Sequence, residues 1–347
     1  MIGVTFGAGA VAAPAPRVSF DTSTVAHFQK AGQTHMTEMA AVAPTPEAPA
    51  QVITGRHTGP HGSRAWRLVL PTAPASTPRP LVVMLHGCLQ DAADIARGSG
   101  FDAVAEQGGA LVLYPEQPES ANPRKCWNWF DAAHQQRGRG EPALLSALIE
   151  EVRRSYGGQS GQVHLVGISA GGAMANLLFG AYPEQFASVM TVAGVAWQAA
   201  PNVGRALAVM QQGAGDALPG GAAWLTAMGS HAQAVPVVVV HGVADPVVSV
   251  RNADETARQY VQLHDALAAR QGAPALVVTE LPAVTMNGVE VRETQWRNAS
   301  GQTMVALLRV EGLAHAFPRG DASGSFTDPR GPDLVARLRA FLTASRR

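Results

Sequence analysis

Three side chains in this sequence have the types that nucleophilic attack on a carbonyl needs: a hydroxyl, an imidazole and a carboxylate. The hydroxyl is Ser169, in Gly167-Ile168-Ser169-Ala170-Gly171. Taken alone, a G-x-S-x-G match is a weak signal, because a serine capping a helix in a nucleotide-binding type of turn gives the same letters. Its setting says more. The motif follows a buried apolar run and opens a helical pattern, the strand–turn–helix context that exposes a serine on strained backbone. The small neighbours Gly167, Gly171 and Gly172 let strand and helix approach closely. A serine hydroxyl becomes a good nucleophile only when a base takes its proton. His315 follows the last apolar run, in Gly312-Leu313-Ala314-His315-Ala316, and is the candidate base. The imidazole in turn needs a carboxylate to fix its tautomer. Asp245, just beyond the run VPVVVVHG (235–242), fits best. Asp216 lies in an irregular glycine-rich stretch, Asp254 falls inside a helical pattern, and Asp321 and Asp328 come after His315. Negative charge developing on a carbonyl oxygen calls for two backbone N–H donors. Ala170, beside the serine, and Cys88, in His86-Gly87-Cys88, are the candidates for that oxyanion hole.

The elements that must position these groups follow from periodicity. Residues 52–70 alternate apolar and polar around Gly59-Pro60-His61-Gly62, which predicts an antiparallel hairpin at a sheet edge. Continuous apolar runs at 81–86, 110–115, 163–168, 188–194, 235–242 and 304–310 predict strands buried on both faces. Helical patterns over 92–107, 141–156, 170–182, 250–270 and 332–344 alternate with them. Residues 279–296 read as an added hairpin around Asn287-Gly288, and residues 201–234 fit no element. The pattern predicts one α/β domain with a mostly parallel central sheet and helices on both faces. Serine, aspartate and histidine in that chain order, at the carboxyl edge of such a sheet, suit an α/β-hydrolase fold.

Composition narrows the field. Of the 347 residues, 46% are hydrophobic and 15% charged, enough apolar surface for a large core. Twenty-six basic residues balance 26 acidic ones, so no electrostatic footprint for nucleic acid or anionic lipid exists. No apolar run reaches the roughly 20 residues a membrane span requires. Residues 1–50 are rich in Ala, Pro and Thr and predict a low-complexity, largely disordered leader with a short helix near 24–41; the catalytic domain takes up 51–347. The opening MIGVTFGAGAVAA is apolar and ends like a cleavage site, yet it lacks a basic start. That points to an extracellular or periplasmic protein, with the cytoplasm as the alternative. The spacing of Cys88 and Cys126 fits either a disulfide or two buried thiols.

The blocks MLHGCLQDAADIARGSGFDAVAEQGGALVLYPEQPESANPRKCWNWF, HQQRGRGEPALLSALIEEV, VGISAGGAMANLLFGAYPEQFASV, HGVADPVVSVRNAD and GLAHAF resemble, in this order, the polyhydroxybutyrate-depolymerase family of esterases. The likeness runs over about residues 52–345. It implies an ester hydrolase of the α/β-hydrolase superfamily working through an acyl-enzyme, with Ser169, Asp245 and His315 as triad and His86-Gly87-Cys88 as oxyanion loop. It further implies a Cys88–Cys126 disulfide. Short-chain hydroxyalkanoate esters or oligomers are the implied substrates; feruloyl and acetyl-xylan esterases are related, and an acyltransferase would use the same triad. A non-catalytic binding scaffold is the reading that an intact triad argues against. After the histidine the family's His-Ala-Trp-Ser-Gly-Gly becomes His315-Ala316-Phe317-Pro318-Arg319-Gly320, which alters the rim of the site. Trp127, Trp129, Trp197 and Phe317 are the candidate substrate contacts, with ordinary packing as the competing reading. No metal or organic cofactor is called for, and oligomeric state is left open. No serine/threonine-rich linker and binding domain follows, which favours soluble esters, oligomers or amorphous polymer.

Overall fold

Valine and leucine runs without polar alternation can be buried only where helices cover both faces of a sheet. The computed structural model describes residues 50–72 and 78–344; the helix expected near 24–41 lies outside them. The chain begins with the hairpin β1 (Gln51–Gly59) and β2 (Gly62–Leu70). Then come β3 (Arg79–Leu85), α1 (Ala92–Ser99), α2 (Asp102–Gly108), β4 (Leu111–Glu116), α3 (Gly140–Ser155), β5 (Gly158–Ile168) and α4 (Ala170–Ala181). The middle of the chain forms β6 (Phe186–Val192), α5 (Val203–Gln212), α6 (Gly221–Met228), β7 (Val237–Gly242) and α7 (Arg251–Arg270). It ends with β8 (Val277–Glu280), β9 (Val284–Met286), β10 (Val289–Arg297), β11 (Thr303–Val310), the short β12 (Phe317–Pro318) and β13 (Thr327–Asp328), and α8 (Leu334–Ala344).

Eleven of these strands form one sheet in the order β1-β2-β4-β3-β5-β6-β7-β11-β10-β8, with β9 also on β10. Strands β4, β3, β5, β6, β7 and β11 run parallel, and antiparallel strands close both edges. This is the α/β-hydrolase fold. The pleat sorts β3 between two cores: Leu81, Val83 and Leu85 pack with Leu145 and Leu148 of α3 and Met174 of α4. Val82 and Met84 point the other way, to Ile95 of α1, Val104 of α2 and Leu338 of α8.

Two regions depart from the periodicity. The pattern over 92–107 breaks into α1 and α2 because Gly100 takes a left-handed φ of 68° and ends the first helix. Residues 201–234, which fit no element by sequence, form α5 and α6. No described helix is long and apolar enough to cross a membrane.

Candidate active site

The parallel strands carry their C-terminal ends to one edge, and three loops there bring Ser169, Asp245 and His315 together. Ser169 sits between β5 and α4 at φ 55° and ψ −122°, a conformation costing about 1–3 kcal/mol for a non-glycine residue. Close backbone contact holds it there. A Cβ on Gly167 would stand 2.3 Å from Gly171 O, and one on Gly171 would stand 2.2 Å from Leu85 O and 2.5 Å from His86 O. Only glycine at both positions lets α4 start directly against β5 and the end of β3.

Ser169 Oγ lies 2.9 Å from His315 Nε2, and His315 Nδ1 lies 2.7 Å from Asp245 Oδ2. Asp245 Oδ1 also accepts from the Val247 and Val248 amides at 2.8 and 2.9 Å, and His241 Nε2 stands 3.3 Å from Oδ2. Burial alone would raise the pKa of this carboxyl. Its contacts with His241 and His315 and the Val248 N–H outweigh that and hold it well below the usual carboxylate range. An ionised Asp245 accepts the Nδ1 proton of His315, which leaves Nε2 as the acceptor facing the serine hydroxyl. The rival carboxylates are elsewhere: Asp254 pairs with Arg309, Asp328 pairs with Arg330, and Asp216 lies in a short turn over Gly215–Ala217.

The His86-Gly87-Cys88 loop is clamped on several sides. Cys88 is disulfide-bonded to Cys126. The buried His86 donates from Nδ1 to Gly87 O at 2.7 Å and accepts at Nε2 from the Gln117 amide at 3.0 Å. Burial lowers its pKa to about 4, so the ring stays neutral in this role. Gly87 N donates to Gln90 Oε1 at 2.9 Å. Behind the loop, the nearly inaccessible Glu141 (2% exposed) accepts from Arg64 Nη2, Asn128 N and Asn128 Nδ2 at 3.1, 2.8 and 2.9 Å. Gln117 links that carboxylate to the Cys126 carbonyl. Among the described residues, no hydrogen bond to another protein group occupies the amides of Cys88 or Ala170. Gln90, Gln117 and Glu141 were not picked out by sequence, where each is a single polar residue without a motif.

A cavity of about 500 Å³ is lined by Ser169, His315, Gly87 and Cys88 together with Leu89, Trp129, Phe130, Val247 and Phe326, and by Val203, Ala206, Leu207 and Met210 of α5. Of the aromatic residues expected to contact substrate, only Trp129 lines it. The other three are corrected by their packing. Trp127 is inaccessible and donates its Nε1 to His86 O at 3.1 Å, so it supports the His86-Gly87-Cys88 loop from behind. Trp197 stacks on Trp224 with ring centroids 5.3 Å apart inside the α4–α7 core. Phe317 is buried edge-on against Phe101 at 5.6 Å. Phe326, in the loop after β12, stands edge-on to His315 instead, with centroids 6.4 Å apart. The α5 wall has a helical signature in the sequence: Val203, Ala206, Leu207 and Met210 are spaced i, i+3, i+4, i+7.

Comparison with known proteins agrees with this architecture. Poly(3-hydroxyalkanoate) depolymerase C of Paucimonas lemoignei is 26% identical over 275 residues, 77% of this chain and 62% of that protein. Feruloyl esterase B of Neurospora crassa is 31% identical over 153 residues, 43% of this chain and 50% of that protein. The chain thus spans about three fifths and one half of the lengths of these two relatives. An acetyl xylan esterase from Aspergillus awamori shares the fold at a TM-score of 0.61 and 21% identity, covering 83% of this chain and 99% of its own. Residues 64–279 match the family model described as esterase PHB depolymerase. Because that match takes in more than half of the chain, the protein belongs to the esterase PHB depolymerase family.

Proposed function

We propose that this protein is a carboxylic ester hydrolase whose nucleophile is Ser169, whose base is His315 and whose acid is Asp245. The observation that carries this reading is the unbroken series of contacts from Ser169 Oγ through His315 to Asp245, with the serine on strained backbone at the floor of an apolar cavity. His315 takes the hydroxyl proton as Oγ bonds to the ester carbon. The Cys88 and Ala170 amides receive the developing oxyanion. As the ester C–O bond breaks, His315 returns the proton to the leaving alcohol. Water then repeats the sequence and frees the acid from Ser169. Asp245 stays ionised throughout and keeps the imidazole in its working tautomer.

The cavity walls are aliphatic and aromatic, and this favours apolar acyl groups such as those of short hydroxyalkanoate esters or oligomers over acetylated sugars. A second reading has one observation in its favour: Trp129, Phe130 and Phe326 line the same space and suit an aryl acid such as ferulate. Transfer of the acyl group to an alcohol acceptor in place of water would show as a new ester when an alcohol competes. The Cys88–Cys126 bridge supports export to an oxidising compartment.

The first experiment is hydrolysis of p-nitrophenyl esters from acetate to palmitate by wild type and by Ser169→Ala. Wild type cleaves the short chains, and the variant loses about a thousandfold or more in kcat. A variant as active as wild type would overturn the serine assignment.

A further inference from the structure

The lining of the cavity is mostly apolar and holds one arginine or lysine. Arg124 belongs to it, and no aspartate or glutamate does. Among the described residues, no carboxylate pairs with the Arg124 guanidinium. Its backbone, in contrast, is fixed. Arg124 O accepts from the Leu89 amide at 2.7 Å, Arg124 N donates to Asn122 Oδ1 at 2.9 Å, and Cys126, two residues on, is bridged to Cys88. An exposed, uncommitted guanidinium is thus anchored to the loop that also carries the candidate oxyanion donor. A guanidinium offers a fork of donors that matches one kind of group, a carboxylate or similar oxyanion, and Arg124 carries it on the lining of an otherwise mostly apolar cavity.

We infer that Arg124 is a binding site for a terminal carboxylate on the substrate. The preferred substrate class is then an ester whose alcohol part ends in a free carboxylate, as in a linear oligomer of hydroxy acids cut at its acid end. This rests on the ester-hydrolase reading above. In the acylation step Ser169 Oγ bonds to the carbonyl carbon, and the C–O bond to the terminal hydroxy acid breaks. The proton that His315 took from Ser169 passes to the released hydroxyl. The leaving group is a complete hydroxy acid, its carboxylate held by Arg124, and water later releases the acyl part as a second acid. No co-reactant other than water is needed.

The test compares the linear dimer of 3-hydroxybutyrate with its methyl ester, which blocks the carboxylate and leaves the scissile ester intact. For wild type at low salt, kcat/KM favours the free acid by about tenfold, mainly through KM, as expected for a charge-assisted pair at an accessible site. The preference shrinks as salt rises to about 0.5 M. Arg124→Gln brings the ratio of the two substrates to about one, and Arg124→Lys retains part of it. Equal use of acid and methyl ester by wild type, or an unchanged ratio in Arg124→Gln, overturns the carboxylate site and leaves the esterase reading standing. Wild type that cleaves neither dimer nor p-nitrophenyl butyrate overturns both.

Discussion

The floor and the wall of the cavity are built on opposite principles. The floor, from Ser169 to the His86-Gly87-Cys88 loop, is fixed by backbone crowding that would put a Cβ on Gly167 or Gly171 within 3 Å of a carbonyl, by buried polar groups and by a disulfide. The wall formed by α5 is held only along one side; Val203 and Leu207 are 56% and 61% exposed. Chemistry that depends on donors placed to fractions of an ångström needs the first kind of region. Selection among acyl groups, worth about 0.8 kcal/mol for each buried methylene, is served by the second. The same alanine substitution therefore has different consequences in the two places. Gly171→Ala drives a Cβ onto the Leu85 and His86 carbonyls, which no side-chain movement relieves. We expect collapse of soluble yield or, in protein that folds, a thermal midpoint lower by about 10 °C or more and severe loss of ester hydrolysis. Gly204→Ala, on α5, meets nothing nearer than Asn202 Oδ1 at 3.6 Å and leaves the midpoint unchanged or slightly raised. Equal effects in a thermal melt would end the distinction.

The support behind the floor is polar, and it is tested by Glu141→Gln. Burial alone would raise the pKa of Glu141; the nearby His134 and hydrogen bonds from Gln117 and Asn128 hold it below the ordinary carboxylate range. The change leaves Arg64 without its charge partner and sets an amide N–H against donors, a loss of about 3–5 kcal/mol by analogy with other broken buried pairs. Because its folded pKa lies below the free value of about 4.3, Glu141 contributes its pH-linked stability in full only above that value. The contribution is lost as the pH falls through the folded pKa. Wild type therefore loses stability on acidification below about pH 4, and the variant starts lower and loses less over the same span. Denaturant melts between neutral and acid pH check this; an equal pH dependence of stability in the two proteins would show that folding does not lower the Glu141 pKa.

The same contrast separates what the sequence made legible from what it did not. The floor left local marks. Uninterrupted Val and Leu runs gave the buried strands, and Gly167 and Gly171 flanked the serine. Asp245 and His315 each followed such a run. Backbone crowding dictates residue type there, so residue type reveals the fold. The wall left a fainter mark. A four-residue apolar period on α5 is shared between core and solvent and runs into the glycine-rich stretch after Gln212, which masks it. Aromatic identity misled in another way: Trp127, Trp197 and Phe317 are large and apolar wherever they sit, and only three-dimensional packing shows which side of the sheet receives them. Glu141 and Gln117 matter through partners 77 and 31 residues away in Arg64 and His86, a relation no local pattern encodes.

The smallest effect on stability is expected where selectivity should respond most clearly. Leu207→Ala removes a side chain that is mostly exposed, so the unfolding free energy should change by no more than about 0.5 kcal/mol. The same side chain lines the cavity, and the extra methylenes of a longer acyl group would bury against it. With about 0.8 kcal/mol at stake for each methylene, partial loss of that contact should lower the kcat/KM ratio of p-nitrophenyl octanoate to acetate by about three- to tenfold. Only the ratio carries the meaning, since a general loss of activity would cancel from it. A constant ratio would place the acyl chain away from α5, along the Trp129 and Phe130 side of the cavity. A ratio that falls together with the thermal midpoint would mean that the wall is as tightly built as the floor, and the comparison between them would fail.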